Sequence, residues 1–366
     1  MTTYHYYMMR IVCAAARPQF TLLPFLGVLL FVAHGAEQPA TWPLWDGKES
    51  TLEYAQRVNL PSTKTLDLGN GVKLETVLIP AGKFLMGSPE REKPFVGQLM
   101  LASSGFVLLV LIAAVFIRAW KKRTRPQYSL RYLILMTWVA SICVWGGVRW
   151  WQALQHTDDY EDERPAHVVT LTKPFYMGKY TVTQAQYQQV LGTNPSNFKG
   201  NNLPVENVSW DEAQEFCKKV NAASAQAVRL PTEAEWEYAC RAGTSTKYYS
   251  GDTEEDLKRV AWYYANSNNT THPAGQKEPN KFGLYDMHGN VWQGCQDWYG
   301  DYTANEVVDP QGAAQGVAQS NGCVLRGGAW HFEPCLCRSA CRVEFLPDYR
   351  NNFLGFRVVV PASRTP

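Results

Sequence analysis

The sequence predicts an α+β domain with much irregular structure, interrupted by a two-helix membrane hairpin. Three observations carry this. Short segments alternate apolar and polar residues, three N-terminal capping boxes are legible, and two long stretches lack any acidic residue. The averages conceal the pattern: 366 residues hold 35 Lys and Arg against 33 Asp and Glu, a net charge of +2, with 46% apolar and 19% charged residues. Those values describe a folded chain of one or two domains. They exclude a disordered chain, a coiled coil, a collagen-like repeat and a basic nucleic-acid binder. Nine cysteines in this length are too few for a disulfide-built miniature scaffold.

In chain order, residues 1–36 contain no acid. They carry Arg10 and Arg17, the apolar run Phe20 to Val32, and Ala33-His-Gly35 before Ala36. A basic start, a short apolar run and a small-x-small site make residues 1–35 a signal peptide, with an uncleaved N-terminal anchor as the alternative. Residues 36–66 read as a polar exported linker with one helix, Ser50 to Val58. Val72 to Pro80 alternates like a half-buried strand, Ala81-Gly82 turns, and Phe84 to Gly87 is the expected return strand.

Residues 98–151 are the predicted hairpin. Leu99 to Ile117 and Tyr132 to Val148 are uncharged runs of 19 and 17 residues, and the link between them holds Arg118, Lys121, Lys122, Arg123, Arg125 and Arg131. In lipid the backbone must satisfy its own polar groups, so such runs span as helices. The basic link then faces the cytoplasm and contacts lipid head groups, which places the chain on either side of the hairpin outside. The expected location is thus a membrane, with the main domain periplasmic or extracellular. The nine positive charges of the two acid-free segments exceed the net +2 by seven, leaving −7 on the exported part.

After the hairpin, His167 to Leu171 and Phe175 to Met177 resume strand chemistry. Thr183-Gln-Ala-Gln186, Ser209-Trp-Asp-Glu212 and Thr232-Glu-Ala-Glu235 each place Ser or Thr three residues before Gln or Glu, the capping box that starts a helix. In the second helix Ala213, Phe216, Cys217 and Val220 form one buried stripe; Trp236, Ala239 and Cys240 do so in the third. Beyond Gly243 the chain is rich in Gly, Asn, Asp and Pro and is expected to be loop-heavy. There is no internal repeat.

Six ordered motifs then become specific: Val77-Leu-Ile-Pro-Ala-Gly-Lys-Phe-Leu-Met-Gly-Ser88, Leu203-Pro-Val-Glu-Asn-Val-Ser-Trp210, Arg229-Leu-Pro-Thr-Glu-Ala-Glu-Trp-Glu-Tyr-Ala-Cys-Arg-Ala-Gly243, Phe282-Gly-Leu-Tyr-Asp-Met-His-Gly-Asn-Val-Trp292, Arg326-Gly-Gly-Ala-Trp330 and Leu354-Gly-Phe-Arg357. Together they closely resemble the formylglycine-generating enzyme, or sulfatase-modifying factor, family. The resemblance implies an α+β fold related to C-type lectins, poor in regular structure, here split into 67–97 and 152–361. The hairpin is not a feature of that family.

Active members of the family oxidise a sulfatase cysteine with oxygen and bind one copper ion through two thiolates. Soft thiolates suit Cu(I). The resemblance puts the first thiolate at Phe332 and the second at Cys337, so the copper pair is incomplete. Cys335, Cys337 and Cys341 with nearby His331 remain as the candidate catalytic set. A thiolate–imidazole group could bind copper or zinc, and disulfides in an exported domain are the favoured alternative. Cys217 and Cys240 are expected to be packing residues. The resemblance implies a bridge from Cys217 whose partner position is here Val358.

The resemblance further implies a calcium site from the Asp286 side chain, the Gly289 and Val291 carbonyls and the Gln293 side chain, where the family usually has Glu. The alternative is a tight turn held by Asn290 without an ion. His288 is expected at a surface turn. Glu233, Glu235 and Glu237 are expected to cap and solvate a helix start. No nucleophile elbow, zinc-protease helix or phosphate loop is present. The expected function is a membrane-tethered extracytoplasmic module of this family, without oxidase activity, that binds a protein or glycan and no nucleic acid. The alternative is a copper-dependent oxidase making formylglycine.

Overall fold

The computed structural model describes residues 41–89, 161–224, 226–313 and 321–363. They belong to one compact unit, interrupted between Ser88 and Glu161. The expected signal peptide, and the expected membrane hairpin with its basic link, fall on residues outside those described. Among the described residues, no helix is long and apolar enough to cross a membrane.

The order of elements is α1 (Thr51–Val58), β1 (Thr63–Asp67), β2 (Lys73–Ile79), β3 (Gly82–Met86), β4 (His167–Leu171), β5 (Phe175–Gly178), α2 (Gln184–Leu191), α3 (Trp210–Ser224), α4 (Glu233–Arg241) and α5 (Glu254–Val260). There follow β6 (Ala261–Trp262), β7 (His288–Gly289), β8 (Trp292–Trp298), β9 (Val307–Val308), β10 (Cys323–Arg326), β11 (Arg342–Phe345), β12 (Leu354–Phe356) and β13 (Val359–Pro361). Two four-stranded sheets, β1-β2-β5-β13 and β11-β10-β8-β12, are joined by a three-stranded sheet β3-β4-β9 and the short pair β6-β7.

The helix starts are where the capping boxes put them. Ser50, Thr183 and Thr232 each accept from the amide three residues on, and the Glu or Gln there reaches back. Ser209 and Glu212 exchange the same two bonds at the head of α3. Each box satisfies two of the four amides a helix leaves unpaired at its start.

Three readings change. The stretch read as a linker carries α1 and β1, and both join the domain. Tyr54, Ala55 and Val58 are buried in the core, and β1 pairs with β2 in register from Thr63↔Val77 to Asp67↔Lys73. β2 is not half-buried along its length: Leu74 and Leu78 enter one core while Val77 and Ile79 enter another, because helices cover both faces of its sheet. β3 does not return on β2. It pairs with β4, from Gly82↔Leu171 to Met86↔His167. The interrupting segment thus occupies the connection of an antiparallel hairpin, and its base is closed by Ser88 N–H donating to the Glu163 carbonyl at 3.0 Å.

α4 lies deepest. All nine of its residues are buried, and it packs against β3, β8 and β10. This contradicts the expectation for its carboxylates. Only Glu235 caps the helix, and it also holds Arg229 through two bonds of 2.7 Å. Glu233 grips Arg342 bidentately at 2.7 Å, and Glu237 pairs with both Arg241 and Arg326. Glu163 holds Arg338 at 2.6 and 2.7 Å. The charges are inside because each has a partner.

Candidate functional site

β10 ends at Arg326, and Gly327 and Gly328 follow at φ +98° and +76°. Only glycine takes this backbone without strain. At Gly328 a Cβ would also fall 2.5 Å from the Cys337 sulfur. This turn lays Ala329 to Phe332 against β8. Phe332, at the position of the first thiolate, packs edge-on against Trp292 and Phe353, with centroids 5.6 and 5.3 Å away. His331 sits among Trp330, Phe332 and Phe353 at 4.4, 4.2 and 4.8 Å.

The three cysteines end up near one another but in different settings. Cys337 closes the short 3-10 turn Pro334–Cys337 and is buried with Tyr248, Leu257 and Tyr263. Cys341 is buried in the Trp292 and Trp330 cluster, and Cys335 is partly exposed. Burial pushes the Cys341 thiol up to about 12 and the Cys337 thiol well up, with repulsion from Cys341 and Cys335 adding to the latter. A thiol held neutral is neither a good nucleophile nor a metal ligand. No disulfide joins Cys217, Cys240, Cys295, Cys323, Cys335, Cys337 and Cys341. Among the described residues no group of three or more His, Cys, Asp or Glu is arranged to hold a metal ion.

The turn from Asp286 to Gln293 is a run of left-handed backbone, with φ +52° at Asp286, +71° at Gly289 and +60° at Asn290. Asn290 clamps it: Oδ1 accepts from His272 N–H and Nδ2 donates to the His272 carbonyl, each at 3.0 Å. Asp286 is fully buried. Its Oδ2 accepts from Gly275 N–H at 2.7 Å, Oδ1 has no partner among the described residues, and burial raises its pKa to about 6. That open oxygen would suit a cation. Gln293 does not: its Oε1 already accepts from Trp236 Nε1 at 2.9 Å and from Arg357 Nε at 3.1 Å, while Nε2 donates to the Asp286 carbonyl at 2.8 Å. A calcium ion needs six to eight oxygens, and here the guanidinium of Arg357 takes the side-chain oxygen it would use. The four residues as arranged do not fit calcium.

His288 is not at the surface. It is fully buried, stacks on Tyr249 at 4.8 Å, and accepts from Tyr249 N–H at 3.1 Å. Burial lowers its pKa to about 3, against a hydrogen bond to the Cys337 backbone. It is a neutral packing residue beside the Cys240 sulfur at 3.8 Å. Sequence reasoning missed the paired charges beneath this region. The spacing of Glu237 and Arg241, four apart on one helix, was the available signal.

An irregular α+β domain with an Arg-Gly-Gly turn, a clamped Asn and a buried Gly-Phe-Arg arginine defines a sulfatase-modifying class of domain. Residues 137–362 match the family described as sulfatase-modifying factor enzyme 1-like domain, and the chain belongs to that family. It is 36% identical to the chaperone protein LppX of Paenibacillus barcinonensis, over 36% of this chain and 64% of that one. It is 33% identical to a formylglycine-generating enzyme of Streptomyces coelicolor, over 45% of this chain and 54% of the enzyme. The chain thus spans between about half and two thirds of these relatives' lengths. Among solved structures it is similar to Treponema denticola variable protein 1, with 26% identity and a TM-score of 0.59, covering 82% of this chain and all of that one. The strands before residue 137 lie outside the family match, yet β2 supplies an interior strand of a sheet.

Proposed function

We propose that this protein is a binding or structural member of its family that does not make formylglycine. The observation behind this reading is Phe332. It stands at the first thiolate position, wedged between Trp292 and Phe353, and the second position, Cys337, is buried in a separate cluster. The family resemblance alone does not decide the chemistry, since relatives of this chain are named both as a generating enzyme and as a chaperone. The domain works outside the cytoplasm, tethered by the hairpin of residues 98–151 to membrane lipid. The test incubates the full chain with copper, oxygen and a Cys-x-Pro-x-Arg peptide and looks for an aldehyde with a hydrazine probe. No aldehyde is expected. Aldehyde formation would overturn the reading.

A second reading draws on the three neighbouring cysteines Cys335, Cys337 and Cys341. In it they bind copper in a rearranged set after the loop opens, and the protein is an oxidase. It requires stoichiometric copper in the purified chain, lost in Cys337→Ser. A chain that binds no copper ends this reading.

A further inference from the structure

The segment that interrupts the domain leaves after β3 and returns before β4, and the residues at its base are bonded to the core. Gly87 donates its N–H to Glu237 Oε1 at 3.0 Å, and its carbonyl accepts from Arg241 Nη2 at 3.1 Å. Ser88 donates its N–H to the Glu163 carbonyl at 3.0 Å and its hydroxyl to Glu163 Oε2 at 2.5 Å. Gly87 is at φ +89°, and a Cβ there would fall 2.4 Å from the Glu163 carbonyl oxygen. Glycine lets the two ends of the base meet this closely.

Glu163 closes the short 3-10 turn Glu161–Glu163, and its carboxylate crosses to a second place in the fold. Arg338 Nη1 and Nη2 donate to its two oxygens at 2.7 and 2.6 Å. The pair is desolvated, with Glu163 3% and Arg338 5% exposed. Beside it, Arg342 Nη1 donates to the Asp162 carbonyl at 3.2 Å. Arg338 is the only charged residue between Cys335 and Cys341, and its Nε donates to the Cys335 carbonyl at 2.8 Å. The ends of this loop have holds of their own. Tyr248 Oη donates to the Pro334 carbonyl at 3.0 Å, and Arg326 Nη1 donates to the Ala340 and Cys341 carbonyls at 2.6 and 2.7 Å. Arg338 fastens the middle of the loop, between the buried Cys337 and Cys341, to Glu163.

We propose that Glu163 is a strap from the base of the interrupting segment to the cysteine loop, and that displacing this base uncovers Cys337 and Cys341. A bidentate pair between guanidinium and carboxylate is strong and directional. Once Glu163 moves away, Arg338 is a buried cation without its counter-charge, which is a costly arrangement. It regains water by turning outward, and the backbone between Cys337 and Cys341 turns with it. Whatever shifts residues 88 and 161–163 therefore sets the access of reagents or metal ions to these two cysteines. The inference deepens the second reading above, in which the loop opens, by naming the contact that breaks.

The test is iodoacetamide labelling of the full chain under native conditions, with peptide mass mapping of each cysteine. Glu163→Gln keeps the shape of the side chain and removes its charge. Labelling of Cys337 and Cys341 is expected to rise about ten-fold or more, the factor for one lost charge-assisted hydrogen bond. Cys217 in α3 and Cys295 in β8 are expected to keep their parent rates. Gly87→Ala leaves both members of the ion pair in place and pushes the Glu163 backbone aside, and the same two cysteines are expected to respond. A rise shared by Cys217 and Cys295 shows general loosening and overturns the strap, as does unchanged labelling of Cys337 and Cys341 in either variant. Hydrogen exchange of the parent chain, read by mass spectrometry, needs no variant. The bonded amides of Ser88 and Arg164 are expected to exchange with the same protection as those of Leu336 and Cys341. Base amides that exchange freely while the loop stays protected overturn the proposal. Labelling uses no copper, so the strap can fail while copper binding holds, and a chain that binds no copper ends the second reading without touching the strap.

Discussion

Glu206 should make the protein less stable as pH rises through neutrality. The residue follows Val205, whose amide donates to the Val182 carbonyl at 2.8 Å, and it is fully buried. Its Oε1 accepts from Phe198 N–H at 2.8 Å, but Oε2 has no partner among the described residues. The cation acting on it, Lys199, is exposed and donates to the Asn194 carbonyl. Burial therefore outweighs the amides and raises the carboxyl from 4.5 to about 7. Between those values the folded protein holds a proton that the unfolded chain has lost, so stability falls with rising pH across that window. The full effect is roughly 3 kcal/mol, taking about 1.4 kcal/mol per tenfold change in proton affinity. Glu206→Gln keeps the acceptor for Phe198 and cannot ionise. Urea unfolding of both proteins between pH 5 and 8, followed by far-UV circular dichroism, gives the difference. The two should match near pH 5, and the variant should gain roughly 1–3 kcal/mol by pH 8. Asp286 and Asp297, raised by burial to about 6 and 8, titrate in both proteins and cancel. A difference that stays flat with pH, or a variant less stable at pH 8, refutes the reasoning.

Glu237→Ala should cost roughly 3–5 kcal/mol in denaturant unfolding, because it strands two buried arginines, Arg241 and Arg326; a loss under about 1 kcal/mol would show that the pairs are not desolvated. Iodoacetamide under native conditions should modify Cys335, which is partly exposed, before the six buried cysteines named above; peptide mass mapping that finds Cys337 labelled first would contradict the burial. His288 should add an acid limb. Its depressed pKa of about 3 means the unfolded chain takes up a proton near 6.5 that the folded one refuses, so stability drops as pH falls below that value; His288→Phe should lessen that drop. Replacing residues 90–160 by a short turn should leave a folded domain, since β3 and β4 are in register up to Met86↔His167 and Ser88 meets Glu163; a variant with no cooperative thermal transition would show that the inserted segment is needed to fold.

What was legible in the sequence was whatever is encoded over short range. A capping box needs residues three apart, and the three helices so marked begin where the box lies. Strand identity was legible too, at β2, β3, β4 and β5. Strand pairing was not, because Gly82 looks like a hairpin turn whichever neighbour β3 chooses. The choice of β4 is made through contacts across the inserted segment. The region 36–66 was read as linker because its apolar residues are few, yet Tyr54, Ala55 and Val58 share one face of α1 and are enough to bury it.

The site shows the same division with a sharper consequence. That Phe332 cannot bind a metal was plain from the residue type, whereas the fate of Glu233, Glu235 and Glu237 was not. Three carboxylates on one short helix look solvated until their partners are known, and those partners, Arg342, Arg229 and Arg326, lie up to 109 residues away. The calcium expectation failed its fit for a related reason. The Asp-x-x-Gly-x-Val-x-Gln pattern describes oxygens available for an ion. It does not say that Arg357, 64 residues on from Gln293, brings its own positive charge to the same oxygen. With Glu at 293 an ion and an arginine could share the added charge; with neutral Gln, Arg357 holds the side-chain oxygen and a second cation would be left with the Asp286 carboxylate as its one acidic ligand, against the repulsion of Arg357. Binding of calcium by Gln293→Glu but not by the parent chain would support this account, and calcium binding by the parent with Gln293 as a ligand would refute it.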